Sequence, residues 1–245
     1  MAMVEVLNLE KDYGKVKALK GISFSINEGE IFGLIGPNGA GKSTTLKILA
    51  TLLKPTKGRA EIAGHDVVKE ADRVREIISY LPEEAGAYKN LTGYEYLELM
   101  ARLYAKNEGK AKKMLELGVK LSDLGEKLDD KVSTYSKGMM RKLLIARALM
   151  VKPKLAILDE PASGLDIVNA YEIRQIIRRF SRIEGVTFLI SSHNMLEVEF
   201  LCHRVALINR GQIIEVGTPE ELKENYGTKN LEDVFIRVIG GERCE

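Results

Sequence analysis

A glycine-rich run between an apolar segment and a helical segment constrains the fold of this chain more than any other feature. Residues 36–44 have the sequence Gly-Pro-Asn-Gly-Ala-Gly-Lys-Ser-Thr and match the pattern G-x-x-x-x-G-K-[ST]. The preceding run, Glu30 to Ile35, is short and apolar, as in a buried parallel strand. Thr44 to Leu53 has leucines at helical spacing. Strand, turn and helix in this order predict an α/β domain with a P-loop.

The residue types in this turn explain how it would bind a nucleotide. Glycines let successive backbone N–H groups converge on phosphate oxygens, and the helix N-terminus adds the positive end of its dipole. Lys42 is expected to contact the β- and γ-phosphates of ATP, and Ser43 to ligate Mg²⁺. The other predicted ATP contacts in this run are Gly36, Pro37, Asn38, Gly39, Ala40, Gly41 and Thr44. The alternative is a turn that only starts a helix, and the strand before it argues against that.

Two acidic residues follow a second apolar run. Leu155 to Leu158 predicts a buried strand that ends in Asp159 and Glu160. Because open α/β sheets bind ligands at the carboxyl ends of their strands, Asp159 is predicted to hold Mg²⁺ and Glu160 to act as general base. The alternative is a solvated acidic turn, which becomes the minority interpretation once a P-loop is present in the same chain.

The remaining patterns predict three parts of one domain. Alternating polar and apolar residues at 4–9 and 22–26 indicate an antiparallel layer near the N-terminus. Helical periodicity from about Thr92 to Met150 predicts a helical subdomain, with bounds at about 84–150, inserted in the P-loop core. A short helical tail is predicted at about 218–245. Further predicted strands cover residues 59–63, 77–81, 187–190, 205–208 and 212–216.

Composition limits the classes of partner. A formal net charge of +2, with 45% hydrophobic and 29% charged residues, gives no argument for nucleic acid. We find no signal-peptide pattern and no apolar stretch of the roughly 18–20 residues that cross a bilayer, so membrane work is expected from a partner chain. Cys202 is interpreted as a small buried residue and Cys244 as a free thiol.

A short segment before the acidic strand resembles a known family. Residues Tyr135 to Met139 are similar to the signature of ATP-binding cassette (ABC) ATPases, usually Leu-Ser-Gly-Gly-Gln, with matches at Ser136 and Gly138. Taken alone, the segment is equally typical of a serine that caps a helix. Other residues follow in the family's order: Tyr13 with Val16 resembles the adenine contact, Ser163-Gly164-Leu165-Asp166 the D-loop, and His193 the switch histidine.

The resemblance implies a reaction and an assembly. Two cassettes pack head to tail in this family, and each ATP lies between the P-loop of one and the signature of the other. ATP and Mg²⁺ are the implied cofactors. The implied catalytic residues are Glu160, His193 and Glu83, the metal ligands Ser43, Asp159 and Glu83, and the contacts made across the dimer Ser136, Lys137, Gly138, Met139 and Asp166.

The sequence departs from the family pattern at two positions. The family's glutamine after the strand at 77–81 falls on Glu83, an acid that is a stronger Mg²⁺ ligand but repels a bare γ-phosphate. Lys137 replaces a signature glycine, and it either places a cation near the opposite triphosphate or points to solvent. Both substitutions are expected to alter the rate of hydrolysis without abolishing it.

Several details resemble cassettes of drug, polysaccharide and ion exporters. These are the Tyr-Ser-x-Gly-Met form of the signature, the run 87–92 and the tail segment 230–235. The implied partners are a separate transmembrane permease and a second copy of the chain or a related cassette, at the cytoplasmic face of the cell membrane. Four residues either line a permease groove or pack in the core: Tyr88, Leu91, Tyr94 and Leu97.

Two other classes of ABC protein remain as alternatives. A soluble ATPase acting on nucleic acid or the translation machinery usually has long coiled-coil arms or two cassettes in one chain, and this chain shows neither pattern. A regulatory ATP binder that does not hydrolyse is disfavoured because both Glu160 and His193 are present.

Overall fold

The computed structural model describes residues 2–240, which form two β-sheets and nine α-helices. The strands are β1 (Ala2–Asp12), β2 (Lys17–Asn27), β3 (Ile31–Ile35), β4 (Lys57–Ile62), β5 (His65–Asp66), β6 (Ile78–Leu81), β7 (Leu155–Asp159), β8 (Thr187–Ser192), β9 (Arg204–Asn209) and β10 (Gln212–Gly217). The helices are α1 (Lys42–Leu49), α2 (Ala71–Ile77), α3 (Gly93–Tyr104), α4 (Glu108–Ser122), α5 (Lys137–Leu149), α6 (Ile167–Glu184), α7 (Met195–Leu201), α8 (Pro219–Asn225) and α9 (Leu231–Gly240). This is the predicted α/β architecture.

The smaller sheet is antiparallel and has the strand order β2-β1-β4-β5. In β1 and β2, buried apolar residues alternate in part with exposed polar ones, because one face packs on the core and the other meets solvent. The buried face of this sheet, the helix α1 and one face of the second sheet share one apolar cluster. The antiparallel layer predicted near the N-terminus is therefore confirmed, with β4 as an additional member.

The larger sheet carries the site and has the order β10-β9-β3-β8-β7-β6. The strands from β9 to β6 are parallel neighbours, whereas β10 forms an antiparallel hairpin with β9. The strands β3, β7 and β8 are buried along their whole length, which explains why their central residues are apolar on both faces, with polar residues only at the ends of β7 and β8. Helices cover the second face of the sheet in a separate apolar cluster.

Between β6 and β7 the described chain consists of helices, turns and one isolated bridge from Thr92 to Lys131. The first of these helices starts at Gly93, so residues 84–92 form a loop. Thr92 caps that helix in a reciprocal capping box with Glu95, which satisfies two backbone N–H groups at its start. The helical character expected for this part of the chain is present, and the first helix begins directly after Thr92, where the helical periodicity starts.

The first helix is shorter than the sequence predicted. The leucine spacing favoured a helix over residues 44–53, whereas α1 covers Lys42–Leu49. The helix does not continue beyond Leu49 because Thr51, two residues later, adopts the left-handed conformation with φ of 62°. The apolar side chains beyond that point follow the helical pattern by coincidence of spacing.

The C-terminal part follows its local sequence signals. Arg210 and Gly211 both have positive φ, as the tight turn between β9 and β10 requires. Thr218 caps α8 in a capping box with Glu221, and Pro219 occupies the first helical position. Residues 241–245, including Cys244 and the end of the predicted tail, lie outside the described residues.

No helix within residues 2–240 combines the length and the apolar character that a membrane span needs. Cys202 is buried as predicted, and burial raises the pKa of its thiol far above the ordinary value. The side chain therefore behaves as a small apolar residue of the core.

Candidate active site

The strand order brings four sequence-distant segments to one edge of the larger sheet. The P-loop follows β3, His193 follows β8, Asp159 ends β7 with Glu160 directly after it, and Glu83 lies two residues after β6. Since β3, β8, β7 and β6 are consecutive parallel neighbours, their carboxyl ends meet. We call this group of segments the phosphate edge.

The glycines of the P-loop permit its backbone conformation, and Lys42 hydrogen-bonds to two of its carbonyls. Gly41 precedes α1 with φ of 110°, a conformation that an L side chain rarely adopts. A Cβ at Gly36 would overlap the backbone carbonyl of Ile208, so the loop needs glycine there for close approach. Lys42 is buried, and its Nζ donates to the carbonyl of Gly36 at 2.6 Å and that of Pro37 at 3.3 Å.

Asp159 accepts hydrogen bonds from two hydroxyl groups. The Oγ of Ser43 donates to Asp159 Oδ1 over 3.3 Å, and the Oγ of Ser191 donates to the same oxygen over 2.5 Å. The sequence predicted Ser43 beside Asp159 but missed Ser191, which lies on the neighbouring strand β8. Polar residues at the end of an otherwise apolar strand are the signal that would have identified it.

Glu160 lies at the centre of the phosphate edge. Its side chain is buried, with Oε2 2.9 Å from Nδ1 of His193 and Oε1 3.3 Å from Nζ of Lys42. The Lys42 contact is an ion pair without hydrogen-bond geometry, so Oε1 accepts no hydrogen bond from the described residues. A buried carboxylate oxygen with free lone pairs is suited to accept a proton from water.

The backbone of Glu160 is also unusual. Its φ of 48° lies in the left-handed region, which costs a non-glycine residue on the order of 1–3 kcal/mol. The N–H of Glu160 donates to Ser191 Oγ at 2.9 Å and to the Ser191 carbonyl at 3.2 Å. The surrounding contacts therefore hold a backbone conformation that the residue would not adopt alone.

His193 and Glu83 border this centre from the solvent side. His193 is about half exposed, with one ring nitrogen on Glu160. Glu83 is exposed, and its Oε1 accepts from Ser163 Oγ at the long distance of 3.5 Å. Glu83 thus contacts the start of the predicted D-loop rather than the pair formed by Ser43 and Asp159.

The predicted adenine contacts lie in an exposed turn next to the P-loop. Tyr13 and Val16 are both more than half exposed and are joined by a backbone hydrogen bond of 3.0 Å. Lys11 Nζ lies 5.1 Å from the centroid of the Tyr13 ring. The turn leads into β2, whose Ala18 carbonyl lies so near the P-loop that a Cβ at Gly41 would overlap it.

Of the residues predicted to act across a dimer, Ser136, Lys137 and Asp166 are exposed, whereas Met139 is half-buried and Gly138 is buried. Ser136 caps α5 by accepting from the N–H of Met139 at 3.2 Å, so the helix cap considered as an alternative is real. Asp166 caps α6 by accepting from the N–H of Asn169 at 3.0 Å, which lowers the pKa of its carboxyl. We call residues 136–139 and 163–166 the signature face.

Two contacts inside the chain join the halves of the signature face. A Cβ at Gly138 would overlap the side-chain amide of Asn169, so a larger residue there would require Asn169 to move. Lys137 Nζ lies so close to Gly164 that a Cβ added at Gly164 would overlap this nitrogen. Lys137 is exposed, and in the isolated chain its ammonium group lies beside the D-loop.

Comparison with known proteins identifies the family. The model of the family described as ABC transporter matches residues 19–163, more than half of the chain. This chain belongs to the ABC transporter family. It contains the family's ATP-hydrolysing cassette, as the resemblance in its sequence implied.

Two curated relatives and one solved structure illustrate the similarity. The linearmycin resistance ATP-binding protein LnrL of Bacillus subtilis is 39% identical over 97% of this chain and 76% of its own length. The daunorubicin/doxorubicin resistance ATP-binding protein DrrA of Streptomyces peucetius is 38% identical over 93% and 69%. A dimeric post-hydrolysis state of the cassette MJ0796, bound to ADP and phosphate, is 26% identical with a TM-score of 0.78, covering 88% of this chain and 98% of that one.

These similarities favour a transporter subunit over the two other classes of ABC protein. The chain is an ATP-binding and ATP-hydrolysing cassette of an ABC transporter. Action on nucleic acid or on the translation machinery is not favoured. A cassette that binds ATP without hydrolysing it is likewise disfavoured.

The structure separates the four residues considered for a permease groove in this cassette. Leu97 is fully buried and Leu91 packs against the core, so both follow the core alternative. Tyr88 and Tyr94 are exposed. Neither His65 nor His203 contacts the phosphate edge, since His65 pairs with Glu70 and His203 accepts from a backbone N–H of β3.

One buried residue of the cassette was missed at the sequence level. Arg141, in α5, donates hydrogen bonds to backbone carbonyls of residues 82, 83, 159, 160 and 161. In the sequence it stands next to Lys142 within an amphipathic helix, and no local pattern distinguishes the two cations. Only the packing of α5 against the phosphate edge does so.

Proposed function

We propose that this cassette drives an exporter by hydrolysing ATP at two composite sites in a head-to-tail dimer. The observation that carries the proposal is the phosphate edge, where Lys42, Glu160 and His193 converge, while Ser136, Lys137 and Asp166 of the signature face are exposed. The first group supplies the catalytic side chains of a phosphoryl-transfer site. The second presents the N-terminus of α5, capped by Ser136, and a helix N-terminus of this kind can bind a phosphate group held by another cassette.

In this proposal each residue of the phosphate edge has one role. The P-loop amides and Lys42 bind the β- and γ-phosphates, and Tyr13 with Val16 packs on adenine. Glu160 takes a proton from the attacking water through Oε1, which accepts no hydrogen bond from the described residues. His193, hydrogen-bonded to the other oxygen of Glu160, contacts the γ-phosphate.

The donor set fits Mg²⁺. The hydroxyl of Ser43 and the carboxylate of Asp159 are hard oxygen ligands and already lie 3.3 Å apart. Among residues 2–240 no three acidic, histidine or cysteine side chains form a ready-made metal site. We therefore expect the ion to bind through these two residues together with nucleotide phosphates, with Glu83 able to join from its exposed loop. The bound ion would neutralise charge that develops on the transferred phosphoryl group.

The signature face would complete the site of a second cassette. Ser136 offers a hydroxyl, backbone N–H groups and the positive end of the α5 dipole to a γ-phosphate. Lys137, Gly138, Met139 and Asp166 surround that helix start. A two-fold arrangement makes both sites from one self-complementary surface, whether the second cassette is a copy of this chain or a related one.

The direction of transport is inferred from LnrL and DrrA, two relatives whose names refer to drug resistance. A membrane-spanning permease would then be the partner, and the cassette would lie at the cytoplasmic face of the membrane through that partner. A cleft of about 610 Å³ between the sheet core and the inserted helices offers a docking place. Its lining includes Ser79 and Tyr80 of β6 and Tyr104 of α3.

The first test compares the wild type with Glu160→Gln. If Glu160 is the base, phosphate release falls by at least roughly a hundredfold. The Kd for ATP stays within about threefold, because the amide keeps the shape of the side chain. Light scattering should show a stable dimer of the variant with ATP and Mg²⁺. Glu98→Gln, at a surface carboxylate of α3, is the control. Wild-type turnover by Glu160→Gln would exclude the assigned base and make Glu83 the next residue to test.

A second experiment tests export. The permease captured with the cassette from detergent-solubilised membranes is reconstituted into vesicles with the cassette outside. ATP added outside should drive an anthracycline into the vesicles with wild-type cassette and not with Glu160→Gln. ATP-dependent loss of drug from preloaded vesicles would show the opposite direction.

A further inference from the structure

The guanidinium of Arg141 lies where α5 packs against the phosphate edge. Arg141 is 8% exposed, and its Nε donates to the carbonyl of Pro161 at 2.7 Å. Its Nη2 donates to the carbonyls of Asp159 at 3.0 Å and Glu160 at 2.5 Å. Its Nη1 donates to the carbonyls of Glu83 at 3.2 Å and Pro82 at 3.4 Å. A guanidinium has five N–H groups, and five carbonyls accept from this one.

Two of these bonds constrain the backbone torsion of the proposed base. The carbonyls of Asp159 and Glu160 flank the Cα of Glu160, so their relative direction is set by φ and ψ of that residue. Both carbonyls accept from the same nitrogen of Arg141. Glu160 is also the residue with the strained φ of 48°. Loss of the shared donor would let the backbone relax and move the carboxylate away from Lys42 and His193.

Nearby carboxylates stabilise the buried positive charge of Arg141. Burial lowers the pKa of the guanidinium, and the carboxylates of Glu83, Asp159 and Glu160 partly offset that effect. These hydrogen bonds go to carbonyl oxygens, so Arg141 does not occupy the carboxylate oxygens of Glu83, Asp159 or Glu160. A buried cation whose N–H groups all donate to backbone carbonyls stabilises the conformation of that backbone and does not contact substrate.

We propose that Arg141 is a positioning residue that holds the Glu160 backbone, and with it the Glu83 loop, in the conformation used for hydrolysis. The inference rests on the proposed role of Glu160 as general base. Arg141 also lies one helical turn after Lys137, so the same side chain links the start of the signature helix to the catalytic carboxylate of its own chain.

The test uses three variants of the full chain and measures phosphate release, equilibrium ATP binding and thermal unfolding. In Arg141→Met, a misplacement of Glu160 by about 1 Å should lower kcat by roughly a hundredfold. The Kd for ATP should stay within about threefold, because the P-loop is untouched. Arg141→Lys keeps the buried charge and some of the donors, so its kcat should lie between those of Arg141→Met and the wild type.

Lys142→Met is the matched control. Lys142 is the next residue of α5, is 9% exposed, and pairs with Glu172 at 2.7 Å, away from the catalytic loop. Its loss should lower the melting temperature and leave kcat unchanged. If Arg141→Met does not fold, Arg141→Lys carries the test through the same split between kcat and Kd.

The possible outcomes separate the two proposals. Wild-type kcat in a folded Arg141→Met or Arg141→Lys, or a loss of kcat matched by an equal loss of ATP affinity, overturns the positioning role. Glu160→Gln is measured in parallel. If Glu160→Gln is inactive while the Arg141 variants turn over normally, only the inference about Arg141 fails. If Glu160→Gln is active, the assigned base fails, whatever the Arg141 variants do.

Discussion

The phosphate edge and the signature face differ in how complete they are within one chain. At the phosphate edge Lys42, Asp159 and Glu160 are buried, and each contacts at least one other member of the group or a strand beside it. At the signature face Ser136, Lys137 and Asp166 are exposed, and their contacts are helix caps and one approach to the D-loop. The chain therefore builds the catalytic half of a site internally and presents the other half to a partner.

This difference teaches how the two halves should respond to substitution. Changes at the phosphate edge should reduce what a single cassette does with ATP. Changes at the signature face should spare nucleotide binding by the single cassette and affect only the steps that need two. The following predictions sharpen or break that comparison, beginning with the largest expected effect.

Lys42→Met should have the largest effect. Lys42 closes the P-loop through two carbonyls and faces Glu160 at 3.3 Å. Losing a charge-assisted contact of about 1.5–3 kcal/mol should weaken ATP binding by roughly ten- to a hundredfold. Hydrolysis should fall below detection. Equilibrium binding of labelled ATP measures the first effect. Lys47→Met, at an exposed position of the same helix, should change neither, and normal ATP binding by Lys42→Met would remove Lys42 from the site.

Gly138→Ala should have an intermediate effect confined to the dimer. The added Cβ overlaps the Asn169 side chain, so either that side chain loses its hydrogen bond to Asp166 or the start of α5 moves. We expect ATP-dependent dimerisation to weaken and kcat to fall by about tenfold or more, because the trans contacts depend on sub-ångström placement. ATP binding by the monomer should not change.

The control for this prediction is Gly109→Ala. Gly109 is likewise the second residue of its helix, but a Cβ there would meet its nearest neighbour at 3.6 Å. A loss of monomer ATP binding in Gly138→Ala would contradict the separation of the two regions.

Lys137→Met should have the smallest effect. Because the ammonium lies on Gly164 of its own chain, its loss should change kcat by no more than about threefold and leave ATP-dependent dimerisation intact. Light scattering at several ATP concentrations measures the latter. A tenfold weaker dimerisation would instead mean that Lys137 contacts the triphosphate of the opposite cassette.

Much of the fold and part of the site could be predicted from the sequence. The P-loop, the strand that ends in Asp159 and Glu160, and the capping box at Thr218 and Glu221 are each encoded within a few neighbouring residues. Their physical causes are also local: positive φ at glycine, buried strands that are apolar throughout, and side chains that cap a helix. Such features do not depend on how the rest of the chain packs.

Other features depended on contacts between distant parts of the chain. The helical pattern of residues 44–53 could not reveal that Thr51 ends the helical path, and the pattern of α3 could not decide between core and groove for Leu97. Arg141 and Lys142 are adjacent cations, yet one binds the catalytic loop and the other an acid on α6. In each case the outcome depends on which element packs alongside.

The sequence by itself determined that this protein binds phosphate after a buried strand and has an acid pair after another. Only the tertiary structure decided that His193, Glu160 and Lys42 meet, since the order β3-β8-β7 is set by long-range strand pairing. The same holds for the left-handed Glu160 and the carbonyls gathered by Arg141. Local patterns act over a few residues, whereas strand order and buried polar contacts depend on the packing of the whole chain.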